Sequence, residues 1–181
     1  MRPVRKLFIV SVAVLATGLA TSPAPAESAA VHPQAWGPGV NLSPGAPSWN
    51  LLPTSAAIDV HGDVLAVWVH TDDSGAALMA AFRAAGHKWR SPVSVPGSRG
   101  AQDAEVAFDG DGDAVLVWRT SHAVAAVRRT AAGSWTKTVT LYRSSAAMES
   151  RAPNSMDLAV NTNGRAAAVW SSNTGLKAAI G

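Results

Sequence analysis

The sequence predicts an all-β protein of about three four-stranded antiparallel meanders. Three observations predict it. A glycine-to-tryptophan phrase recurs as GDVLAVW at 62–68, GDAVLVW at 112–118 and GRAAAVW at 164–170. Its tryptophans, Trp68, Trp118 and Trp170, lie 50 and 52 residues apart, and Gly62, Gly112 and Gly164 keep the same spacing. A second series, Trp36, Trp89 and Trp135, runs at intervals of 53 and 46 residues. A period near fifty, with short apolar pieces in each unit, is the mark of a repeat architecture.

The middle copy shows the elements in order. Glu105 to Phe108 alternates briefly and reads as strand a. Asp109-Gly110-Asp111-Gly112 is a turn, because Asp tolerates and Gly prefers positive φ. Ala114 to Trp118 is apolar on both faces, as happens when a strand is covered from both sides, and reads as strand b. Ala123 to Arg129 reads as strand c, and Trp135 to Leu141, alternating with Thr, as strand d. Strand c is rich in alanine, a good helix former and a poor strand former, so a short helix there is the alternative. Against the helix, the third copy, GLKAAIG, has only five residues between its glycines. Meanders of this kind, stacked face to face, explain why strand b is apolar on both sides.

The two ends bound the class. Arg2, Arg5 and Lys6 precede an apolar run from Leu7 to Ala20, and Ala24-Pro25-Ala26 follows as a small-residue processing site. Residues 1–26 therefore read as a secretory signal peptide. The run is shorter than the roughly 20 apolar residues a spanning helix needs, so no stable membrane anchor is expected after cleavage. The chain is expected to be secreted and extracellular. Those three leader cations belong to the 15 Lys and Arg of the whole chain, and the remaining 12 balance its 12 Asp and Glu. No electrostatic pull toward nucleic acid is expected. With no cysteine, the fold must rest on packing.

The stretches Asp59-Val60-His61-Gly62 with Val67-Trp68, and Arg83 through Gly86 with Trp89, Pro92 and Val93, resemble repeats of secreted bacterial β-propeller proteins, particularly the sialidase-like ones of actinobacteria. The resemblance covers residues 35–181 and implies four-stranded blades around an axis. It departs from that family in lacking the S/T-x-D-x-G-x-x-W box, and no catalytic residue carries over. The expected organisation is a linker over 27–34, a d strand over 35–43, a linker over 44–55, repeat one over 56–103, repeat two over 104–155 and a partial repeat three over 156–181. That makes twelve strands or three blades, fewer than the four to eight of closed propellers. The chain is expected to be a truncated member, a partial β-propeller, or one half of a dimeric six-bladed propeller. Its open blades predict self-association.

Candidate sites are few. Asp109, Asp111 and Asp113 alternate as in a calcium loop, but the sister turns lose the charge and keep the turn, so a hairpin is the first reading. The repeating Trp36, Trp68, Trp89, Trp118, Trp135 and Trp170 read as packing, and Gly62, Gly112 and Gly164 as turn positions. Trp49 falls outside the period in a Pro/Gly-rich stretch and is the candidate for ligand contact. His70, Asp72 and Asp73 lie close together in HTDDS, as a solvated loop or an acid/base cluster. Arg128-Arg129 is too small a patch to imply a partner. No zinc spacing, nucleophile elbow or phosphate loop appears, and no cofactor is expected. The function expected is that of an exported, non-catalytic binding or scaffold module for an extracellular glycan or protein. The alternatives are a fragment of a sialidase-like glycan-active enzyme and a small carbohydrate-binding lectin competent on dimerisation.

Overall fold

A computed structural model describes residues 36–45, 51–148 and 156–181. The expected signal peptide, the 27–34 linker, Trp49 and the end of repeat two at 149–155 lie outside the described residues. Those described contain eleven strands and no helix, so none is long and apolar enough to cross a membrane. The first sheet comprises β1 (Leu51–Ile58), β2 (Val64–Asp72), β3 (Gly75–Arg83) and β4 (Val93–Ser94). The second comprises β5 (Asp103–Phe108), β6 (Ala114–Arg119), β7 (Ala123–Arg129) and β8 (Val139–Arg143). The third has β9 (Met156–Val160), β10 (Ala166–Ser172) and β11 (Gly175–Ile180). Each sheet is an antiparallel meander in sequence order. Among the first strands, β1 adjoins β5 and β5 adjoins β9. The protein is all-β, in the manner of part of a propeller.

The three sheets share one register. Trp68 pairs with Met79, Trp118 with Ala125 and Trp170 with Lys177. The alanine-rich third strands are therefore strands. Their pairing with β2, β6 and β10 overrides the helical preference of alanine, and the small side chains let neighbouring sheets approach.

Strand alternation decides what each face covers. Leu65, Val67 and Val69 of β2 meet Ala114, Leu116 and Trp118 of β6 in one apolar cluster. Val115 and Val117, on the other face of β6, meet Ala168 and Trp170 of β10 in a second. Every residue of β6 is consequently buried, which accounts for the unbroken apolar run Ala114–Trp118. β10 is covered on one face only: Ala168 and Trp170 are buried, while Ala167, Val169 and Ser171 are exposed.

Three boundaries differ from the sequence reading. No strand forms over 36–45, where a d strand was expected from 35 to 43, and Trp36 is 101% exposed rather than packed. A strand needs a neighbouring edge to pair with, and among the described residues this segment pairs with none. β1 begins at Leu51, inside the expected 44–55 linker, because β2 is long enough to offer a partner to Leu51 at His70. In the fourth strand of the second sheet, Trp135 makes only a single bridge to Arg129, and continuous pairing starts at Val139.

Candidate functional site

The most repeated polar feature is the hairpin between the first and second strands of each sheet. Asp59 Oδ1 accepts the amides of His61 and Asp63 at 2.9 and 2.8 Å. Asp109 Oδ1 accepts those of Asp111 and Asp113, both at 3.0 Å. Asn161 Oδ1 accepts those of Asn163 and Arg165 at 3.0 and 2.9 Å. An acid is unnecessary for this, which is why the third copy manages with an amide. The glycines of these turns also serve the joints between sheets. Gly112 and Gly164 have φ of +80° and +77°, and a Cβ on Gly164 would stand 3.0 Å from Asp109 Oδ2.

Asp109 is central to the second joint. Its Oδ2 accepts Arg128 Nη1 at 2.7 Å, and Arg128 Nη2 donates to the Gly164 carbonyl at 2.7 Å. Asp113 Oδ1 accepts the Ala131 amide. Two carboxylates of the candidate calcium loop, those of Asp109 and Asp113, are therefore turned to backbone amides and a guanidinium. Among the described residues no group of three His, Cys, Asp or Glu could hold a metal ion. Arg128 and Arg129 do not form one patch, because neighbours on a strand point to opposite faces. Arg128 turns to the third sheet. Arg129 turns to the first, its guanidinium 4.3 Å from the centre of the Phe82 ring. Burial, and then the charge of Arg90, lower the Arg129 pKa.

Trp68, Trp118 and Trp170 are buried within the sheets. Trp89 is half-buried, and Trp135, also half-buried, packs against the cluster between the first and second sheets. Between the second and third sheets lies an apolar cleft of about 310 Å³, bordered by Val115, Val139, Leu141, Leu158, Ala179 and Ile180. A second, wider depression of about 530 Å³ brings Val40, Leu42 and Leu51 beside Ala66 and Trp68. Both are apolar openings at the surface of the described residues.

His70 and Asp72 sit at the β2–β3 hairpin with their side chains 3.9 Å apart. Asp72 accepts both the hydroxyl and the amide of Ser74, which hold its carboxyl below the ordinary range. Asp72 is thus part of the turn. A linear reading does not point to the joint between Ser55 on β1 and Glu105 on β5. The Ser55 hydroxyl donates to Glu105 Oε2 at 2.9 Å and accepts the Val106 amide at 3.3 Å. Burial pushes the Glu105 carboxyl up, the Ser55 hydrogen bond opposes it, and the charges of Asp103 and Asp157 add to it. The register could have found this site: Ser55, Glu105 and Asp157 pair with Val67, Val117 and Val169, the same repeat position three times.

No protein-family model matches the chain, and no curated protein matches it.

Proposed function

We propose that the chain is an exported, non-catalytic propeller-like repeat protein, a binding or scaffold module for an extracellular glycan or protein. One observation carries the reading: the repeated polar groups are engaged in the fold's own turns and joints, while large apolar residues remain exposed on the third sheet. Asp59, Asp109 and Asn161 close their own hairpins, and Arg128 links two sheets. On the third sheet Val169, Leu176 and Ile180 are 37%, 78% and 76% exposed. Contiguous apolar surface marks interaction sites. A propeller fold alone does not set the function, since such folds host many activities.

The test has two arms. Fluorogenic sialosides and other glycosides should be hydrolysed no faster than in buffer; turnover that Glu105→Gln abolishes would overturn the non-catalytic reading. A glycan array with the wild-type chain and Trp49→Ala then separates the ligands. Signal lost in the variant makes the ligand a sugar, and equal silence from both leaves a protein ligand.

A further inference from the structure

The repeats say what kind of strand fits beside β11. In the first sheet, Val93 and Ser94 of β4 pair with Ala80 and Met79 of β3. In the second, Val139 and Thr140 of β8 pair with Ala126 and Ala125 of β7. Both fourth strands follow a tryptophan at the same distance, as W-x-x-x-V-x-V from Trp89 and W-x-x-x-V-x-L from Trp135. The residue after the tryptophan anchors each: the Arg90 amide donates to the Phe82 carbonyl and the Thr136 amide to the Arg128 carbonyl, both at 2.9 Å. The third sheet has no fourth strand among the described residues. Yet W-x-x-x-V-x-L occurs once more, as Trp36, Val40 and Leu42, in a segment that forms no strand.

We propose that Trp36–Ser43 of a second copy of this chain forms the fourth strand on β11, so that two copies close a six-bladed ring. The shared register fixes the pairing. Val40 of the second copy faces Ala178, Asn41 faces Lys177, and the Gly37 amide donates to the Ile180 carbonyl. Trp36 then enters the apolar cleft between the second and third sheets. In the joint between the first and second sheets the equivalent place is held by Trp135, beside Leu65, Phe82 and Arg90. Those residues correspond to Val115, Arg128 and Thr136, which border the unfilled cleft.

The faces match as well. Val67, Leu78 and Ala80 of the first sheet share a cluster with Trp118. Their equivalents on the third sheet are Val169, Leu176 and Ala178, all exposed. The surface they would cover is the equivalent of the Trp118 face, and that is the Trp68 face of the first sheet. Trp68 is absent from the cluster facing the second sheet, and Val40 and Leu42 lie beside it. The chain's own β11 is therefore two sheets away from its own Val40. Two copies of the three described sheets make six, within the four to eight blades of closed propellers. This inference rests on register and packing and stands independently of the function proposed above.

The test is a disulfide in a chain that has no cysteine. Position 41 facing 177 corresponds to Ser94 facing Met79. That pair is flanked by the bonded Val95 and Leu78 and so belongs to the closer, non-hydrogen-bonded kind, within disulfide reach. The purified chain carrying Asn41→Cys and Lys177→Cys, oxidised and run without reductant, should migrate as a covalent dimer. The control pair Asn41→Cys and Ala178→Cys, one residue out of register, should link at least 10-fold less. In parallel, light scattering should give the wild-type chain a dimer mass, and Trp36→Ala should raise the dimer dissociation constant about 30-fold or more, as loss of a buried anchor does. A disulfide closed within one chain, equal linking by the control pair, or a monomer at every concentration would overturn the proposal.

Discussion

Arg128 Nη1 donates to Asp109 Oδ2 at 2.7 Å, and the same guanidinium continues to the Gly164 carbonyl. The pair joins β7 to the turn before β6 and ties both to the next sheet. Asp109 is nearly buried and Arg128 is about a third exposed. The two halves should therefore differ in cost. Asp109→Ala removes two turn hydrogen bonds and strands the guanidinium, and should lower unfolding free energy by about 2–4 kcal/mol. Arg128→Met keeps both turn bonds but leaves the nearly buried Asp109 carboxylate without its counter-ion, so it should cost about 1–2 kcal/mol. Urea unfolding midpoints check the order; equal losses would show that the turn bonds contribute nothing.

The two tryptophan series should respond differently. Trp118 is fully buried at the joint between the first and second sheets, so Trp118→Ala should cost about 3–5 kcal/mol. Trp36 touches solvent all round, so Trp36→Ala should leave a dilute monomer within about 0.5 kcal/mol of wild type. Thermal and urea melts at low protein concentration measure both. A large loss at Trp36 would place its indole inside the monomer.

The sequence announced the meanders because their signals are local: Gly112 in its turn, the two-faced run of β6, the period of Trp68, Trp118 and Trp170. It misplaced what depends on a partner edge. The motif at Trp36 keeps the spacing of those at Trp89 and Trp135, but a strand needs an edge, and the matching edge belongs to β11 at the far end of the chain. The joints were hidden for a different reason. Ser55 and Glu105 are 50 residues apart, and neither is unusual in its own strand. Arg128 and Arg129 look like one patch in a linear reading, and the strand turns them to opposite sheets.

Glu105 should make stability fall with rising pH. Its carboxyl is pushed above the ordinary value of 4.5, chiefly by burial, so the folded state holds the proton to higher pH than the unfolded chain does. The favourable contribution is complete below that ordinary value and is lost as pH climbs through the raised one. Glu105→Gln keeps an acceptor for the Ser55 hydroxyl and removes the titration. The variant should gain on the wild type as pH rises from about 4.5, then hold a constant lead. Parallel stability profiles across that range would show that Glu105 does not titrate differently on folding.

Arg119, at the end of β6, is 3% exposed, and its Nε and Nη1 are buried with no hydrogen-bond partner. Its cross-strand neighbour is Val124, which belongs to the apolar cluster with Met148, Met156 and Trp170. A guanidinium set among such groups loses its hydration and gains little in return. Arg119→Met keeps a long apolar side chain and removes the unpartnered donors, so it should raise unfolding free energy by about 1–3 kcal/mol. Urea unfolding of the single variant checks this. Reduced stability would mean that the guanidinium holds its place through an interaction that outweighs its desolvation.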